Sequence, residues 1–171
     1  MKSDNDVAVR LDRLKALVRA AEDEAMLAVT LHESWKPTAY DVDLHARMGT
    51  SFATHTFHVI RVALRRELLL SLVRIWDTNK RAVRLTAIAD ILRDDQCFEA
   101  LVEERAARLT LGSTSVKLVR DALTSKRTEV LGLIRKYLQN GDGELVLQDL
   151  RQLRHQHLAH RQVETPATVV G

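Results

Sequence analysis

Apolar residues recur along most of this chain at alternating steps of three and four, and the few Gly and Pro residues fall between the repeats. That spacing draws one stripe along a helix, because about 3.6 residues complete a turn. Val7, Leu11, Leu14, Val18, Ala21, Ala25 and Ala28 form the first stripe and predict a long amphipathic helix over residues 6–33. Lys36-Pro37-Thr38 is expected to end it, since Pro has no N–H to donate and biases the residue before it away from α. A second long helix is expected from Asp41 or Asp43 to about Trp76, with a bend at Gly49. Phe52, Val59, Val62, Leu69, Val73 and Trp76 line one side of it, and Phe57, Ile60, Leu64, Leu68 and Ile75 the other. A helix apolar on two faces belongs at the centre with neighbours on both sides, and Trp35, Trp76 and Phe52 read as core anchors.

Asp77-Thr78-Asn79 breaks that helix. Shorter helices over 85–93 and 96–109 follow, and Leu111-Gly112-Ser113 is a C-cap and N-cap signal ahead of another over 114–138. Asn140-Gly141-Asp142-Gly143 is a turn, and the last helix, over 144–161, carries Val146, Leu150 and Leu153 on one face. Period-two alternation and solenoid repeats are both missing. The expected fold class is therefore all-α, an up-and-down helical bundle of about six helices. One domain over 1–163 with a flexible tail over 164–171 is expected.

Composition narrows the setting. An apolar share of 46% excludes a disordered chain, yet no apolar stretch approaches the roughly 20 residues that span a bilayer. The opening residues lack the apolar run of a signal peptide, and Cys97 stands alone, so neither a disulfide nor a Cys-based zinc site is expected. A cytoplasmic protein with no membrane partner fits best. Net charge is +3 but uneven. Residues 1–34 hold five Lys/Arg against seven Asp/Glu, a net of −2, whereas residues 105–161 hold eleven against five, a net of +6. A basic C-terminal half suits a polyanion such as RNA, and equally a solvated face with no ligand.

The chemistry concentrates in Leu150-Arg151-Gln152-Leu153-Arg154-His155-Gln156-His157-Leu158-Ala159-His160-Arg161, where three histidines and three arginines share twelve residues. The line Val146–Leu150–Leu153 continues onto His157 and His160, so imidazoles stand where apolar residues would otherwise follow. A partly shielded imidazole that titrates near neutrality can give and take protons.

This segment resembles the motif of the HEPN superfamily, an Arg, a polar residue, a few more residues and then His on the last core helix. It is similar in particular to the abortive-infection AbiU-like branch. Arg74-Ile75-Trp76-Asp77 followed by Leu85-Thr86-Ala87-Ile88 fits that branch's outline of a long second helix ahead of a short Leu-rich one. The resemblance implies a metal-independent endoribonuclease of toxin–antitoxin or phage-defence type, cutting RNA at the cleft of a homodimer. An antitoxin or a nucleotidyltransferase would be its partner, and no cofactor is implied. Arg154 and His160 would be catalytic, the guanidinium holding phosphate oxygens and the imidazole acting as acid or base. His155, His157, Arg151 and Arg161 would bind or orient substrate. On a regular helix Arg154 and His160 lie about 120° apart and about 9 Å along the axis, so one protomer aims both at a single phosphate with difficulty, and a two-fold axis near the helix end would supply a second histidine to the same groove.

Three other readings stand beside this one. Arg and His near a helix C-terminus also serve the helix itself, by facing the negative end of its dipole. The same fold can act as a non-catalytic RNA- or protein-binding module. His55/His58 and His157/His160 are pairs at helical spacing that suit a metal, but His58 lines up with Arg61 and Arg65, and those cations oppose one; no metal is expected.

Overall fold

The computed structural model describes residues 4–49, 52–77, 79, 82–109 and 114–155, with the side chains of Asp4 and His45 left aside. Within them the chain is all-α. Seven helices are formed: α1 (Asp4–Tyr40), α2 (Val42–Met48), α3 (Phe52–Ile75), α4 (Leu85–Arg93), α5 (Asp95–Ala107), α6 (Thr114–Lys136) and α7 (Glu144–Leu153). The only extended pairing among the described residues is a single bridge between Trp76 and Arg84. No helix of the described residues is long and apolar enough to cross a membrane. The expected tail over 164–171 lies outside the described residues.

α1 is the spine, about 55 Å long at 1.5 Å per residue. Its N-terminal half buries Leu11 and Leu14 against Ile88 and Ile91 of α4 and Cys97 of α5. Asp94 locks this corner. One of its oxygens accepts from the N–H groups of Gln96 and Cys97, capping α5, and the other pairs with Arg10 of α1. A second core joins α5 to α6 through Phe98, Val102, Ala106 and Val119. Arg127 of α6 lies 4.5 Å over the Phe98 ring and donates to Asp95. The C-terminal half of α1 packs on α3, tied by Arg74, which donates to Glu24 of α1 and to Glu67 of its own helix. Burial opposes the charge on Arg74, but those two carboxylates outweigh it and raise its pKa.

Three expectations are corrected. Pro37 does not end α1, which runs on to Tyr40. The hydrogen bond that Pro37 cannot donate belongs to the solvent-exposed last turns, where its loss is cheap. Asp41 N–H donates to the Pro37 carbonyl, and the Trp35 and Tyr40 rings meet edge to face at 5.6 Å, holding the end together. The second helix does not bend at Gly49; it breaks. Gly49 sits at φ +60, in the left-handed region that suits Gly, so α2 and α3 are separate elements.

The third correction concerns burial. Both stripes of α3 were expected to be covered, but only its C-terminal half is buried, at Leu68, Ser71, Val73 and Ile75. Phe52, expected as a core anchor, is 94% exposed, and Val59 and Val62 are exposed as well. The cause is the topology. One face of α3 meets α1 along its length, while the opposite face finds a partner only where α7 crosses its end.

Phe98→Ala should destabilise the fold by about 3–5 kcal/mol, because it empties the α5–α6 core and removes the ring under Arg127. Urea unfolding monitored by circular dichroism measures this, and a change below about 1 kcal/mol would show that the α5–α6 core is not a principal source of stability.

Candidate active site

The geometry of the site begins in the turn between α6 and α7. Asn140 takes positive φ, its N–H donates to Glu144, and Gly143 N–H donates to the Lys136 carbonyl. Gly143 is buried under the Tyr137 ring, so closely that a Cβ there would stand 2.6 Å from it. Tyr137 in turn meets the ring of Trp76, 5.3 Å between centroids, at the end of α3. The start of α7 is thus stacked, through one glycine and two aromatic rings, on the residue that follows α3.

α7 then lays one line of residues toward α3. Leu147 is the buried member, at 2% exposure, and Arg151 and Arg154 continue at the same spacing. The line Val146–Leu150–Leu153 is therefore the flank of the helix and not its inner face. Val146 is exposed, while Leu150 and Leu153 are half-covered. Arg151 Nη2 donates to the Trp76 carbonyl at 3.0 Å, using a backbone acceptor left over at the end of α3. Arg154 Nη1 lies 3.6 Å from Asp77 Oδ2, while the other oxygen of Asp77 accepts from Asn79 N–H.

Val73, Trp76, Asp77, Arg151, Arg154 and His155 enclose an open pocket of about 130 Å³. Its polar wall is two guanidiniums and an imidazole, its floor apolar, and its single carboxylate is Asp77. The Arg154–Asp77 pair is loose and the Arg154 side chain is 38% exposed, so this one carboxylate does not use up its five N–H donors. Such a fork suits a phosphate, which accepts two parallel bonds. At Arg154 and His155 the helix widens into a π turn, and the expected 120° rotation from Arg154 to His160 lies outside the described residues.

A model of the AbiU2 family of HEPN domains matches residues 11–169, nearly the whole chain. The chain belongs to the HEPN AbiU2 family. The searches of curated proteins and of solved structures returned no match. In this AbiU2 domain the structure brings together three residues singled out from the sequence: Arg151, Arg154 and His155. His157, His160 and Arg161 lie outside the described residues. His55 and His58 gather no further ligands, since no three His, Cys, Asp or Glu side chains converge among the described residues.

Three members of the pocket, Val73, Trp76 and Asp77, were not among the expected site residues. Val73 and Trp76 read from the sequence as an apolar stripe and Asp77 as a helix break, and nothing in the spacing from Asp77 to Arg154, 77 positions further on, links them. Two larger hollows, of about 350 and 410 Å³, lie along the N-terminal half of α1. The first holds Glu104, already paired with Lys15 and Arg108, and neither contains a histidine.

Gly143→Ala should displace the Tyr137 ring, loosen α7 and destabilise the protein by about 1–3 kcal/mol. Near-ultraviolet circular dichroism reports the Trp76–Tyr137 pair together with stability. An unchanged spectrum and midpoint would mean that α7 is not seated through this contact.

Proposed function

We propose that this AbiU2 domain, over residues 1–163, is a metal-independent endoribonuclease of toxin–antitoxin or phage-defence type, acting in the cytoplasm. The observation that carries the reading is the pocket at the end of α7. It holds Arg154 at the end of a helix seated against α3, restrained by one carboxylate and partly open to solvent. In the proposed reaction His160 removes the proton of a ribose 2′-OH, and that oxygen attacks the neighbouring phosphorus. The 5′-oxygen leaves with a proton from a second histidine, and the strand ends in a 2′,3′-cyclic phosphate. Arg154 balances the charge that gathers on the phosphorus oxygens, and Arg151 and His155 hold the adjacent strand. Arg161 adds charge for binding, and His157 helps orient the substrate.

The second histidine comes from a second copy in this proposal. Support for a homodimer lies on the flank of α7. The line Val146–Leu150–Leu153, which leads in sequence to His157 and His160, is apolar and incompletely covered by the chain itself. An apolar flank of this kind suits an isologous two-fold contact, which would place two Arg154/His160 pairs in one cleft. An antitoxin or a nucleotidyltransferase would then restrain the enzyme at or near that cleft.

With excess chelator present, the purified protein should cut single-stranded RNA to cyclic phosphate ends, and Arg154→Ala or His160→Ala should each lower the rate by about 10²–10⁴. Binding of RNA without cleavage would favour a non-catalytic module, and activity that returns only with added metal would overturn the metal-independent mechanism.

The dimer has its own test. The wild type should run at twice its chain mass, and Val146→Asp, on the exposed flank, should yield monomers that have lost cleavage. A monomeric wild type that cuts RNA would rule out the composite site.

A further inference from the structure

Where the C-terminal half of α1 meets the N-terminal half of α3, a second pocket of about 240 Å³ is formed by Trp35, His58, Arg61, Val62 and Arg65. Its two guanidiniums are not spent on carboxylates. Arg10, Arg74, Arg93, Arg108, Arg120 and Arg127 each pair with one, whereas no acidic side chain pairs with Arg61 or Arg65 among the described residues. They stand four apart, on one side of α3, with His58 ahead of them, and both line a pocket with an aromatic wall. Trp35 sits between His32 and Tyr40, with ring centroids 6.4 Å and 5.6 Å away, and Tyr40 is exposed. The indole N–H of Trp35 is buried with no acceptor among the described residues, an unmet donor at the pocket.

We propose that this face of α1 and α3 is a second RNA-binding site, which holds a single strand with phosphates on Arg61 and Arg65 and a base against Trp35. The proposal rests on the RNA reading of the Arg154 pocket and names a separate place where the same strand is gripped. Unpaired guanidiniums call for an anion, and a flat aromatic wall beside them calls for a ring. Single-stranded nucleic acid supplies both at every residue of its chain. A metal is opposed by the three basic groups, and a duplex would not lay a base on Trp35 in a pocket of this size.

Continuity with the first site is the strongest support. His58, Val62, Arg65, Leu69 and Val73 are spaced four, three, four and four residues apart, which is one line down α3. That line begins in the Trp35 pocket and ends at Val73, in the wall of the Arg154 pocket. From Arg61 to Val73 the separation is about 18 Å at 1.5 Å per residue, a distance a few nucleotides of extended strand can bridge. A strand laid along this side of α3 would run from Arg61 and Arg65 toward the cations that α7 brings to the end of that helix. Binding at the far pocket would therefore add affinity for longer RNA by raising the local concentration of the strand at the Arg154 pocket.

The test uses the full chain and a fluorescein-labelled 2′-O-methyl oligouridine of about 16 nucleotides, which cannot be cut and whose binding is read by anisotropy. Arg61→Ala/Arg65→Ala should weaken binding about tenfold or more and reduce the slope of log affinity against log salt by about 1.4, as expected for two phosphate contacts on a single strand. Trp35→Ala should weaken binding about 5- to 150-fold, and Trp35→Phe, which keeps a ring and fills most of the space, should retain most of it. Arg13→Ala/Arg19→Ala, which removes the same two charges from the N-terminal half of α1, should leave affinity unchanged.

An unchanged affinity and salt slope in the double arginine variant would overturn the proposal. So would an equal loss in Arg13→Ala/Arg19→Ala, which marks a diffuse charge effect. Loss of binding to poly-glutamate with RNA binding intact would assign the face to an acidic protein and overturn it too. A wild type that binds through Arg61 and Arg65 yet never cuts RNA would sink the nuclease reading alone and leave this site standing.

Discussion

Trp76 holds the two halves of this protein in register. Its ring rests on Tyr137, Tyr137 covers Gly143, and its carbonyl receives the guanidinium of Arg151. α7 is short, with 10 residues, and a helix of that length has little stability of its own in water. It therefore takes its position from what it touches. The end of α3 supplies an aromatic surface, a free carbonyl and the carboxylate of Asp77, and all three are used by residues of the α6–α7 segment. Without that seat Arg154 would be one more solvated arginine on a frayed helix end.

The same arrangement explains the electrostatics of the site. A guanidinium buried tightly against a carboxylate would have its charge spent on that partner. At 3.6 Å, with Arg154 more than a third exposed, Asp77 restrains direction while leaving donors for a ligand. Arg74, in the last turn of α3 and three residues before Asp77, shows the contrast. It is held by two carboxylates at 2.7 Å and serves to join α1 to α3. Two arginines at the end of α3, Arg74 on that helix and Arg154 reaching it from the end of α7, thus do different work because one is saturated with partners and the other is not.

Much of α3 lacks a partner on its outer side, from the exposed ring of Phe52 down to where α7 begins to cover it. Exposed apolar residues and unpaired cations on one helix of a folded chain are what a surface that meets something else looks like. Both functional proposals draw on this incompleteness: a second copy at the flank of α7, and an RNA strand along the face that joins the two pockets.

The all-α class and most of the helices were legible from periodicity and from Gly, Pro and cap signals, because a 3.6-residue repeat reports local geometry and needs no knowledge of neighbours; the division of the second helix at Gly49 was not. The segment rich in Arg and His was legible as well, since composition needs no tertiary structure. The buried side of α1 could be read this way, at Leu11, Leu14 and Ala28, but that of α3 could not. α3 bears two apolar stripes of equal quality, and only the packing of α1 and α7 decides that Leu68 and Val73 are covered while Val59 and Phe52 are not. Pro37 was misjudged for a related reason, as the cost of a lost hydrogen bond depends on whether solvent and tertiary contacts can absorb it. The partnership of Asp77 with Arg154, and of Trp76 with Arg151, spans some 75 residues of sequence and belongs wholly to the tertiary structure. Local pattern determines what each segment is; contact between distant segments determines which of its faces acts.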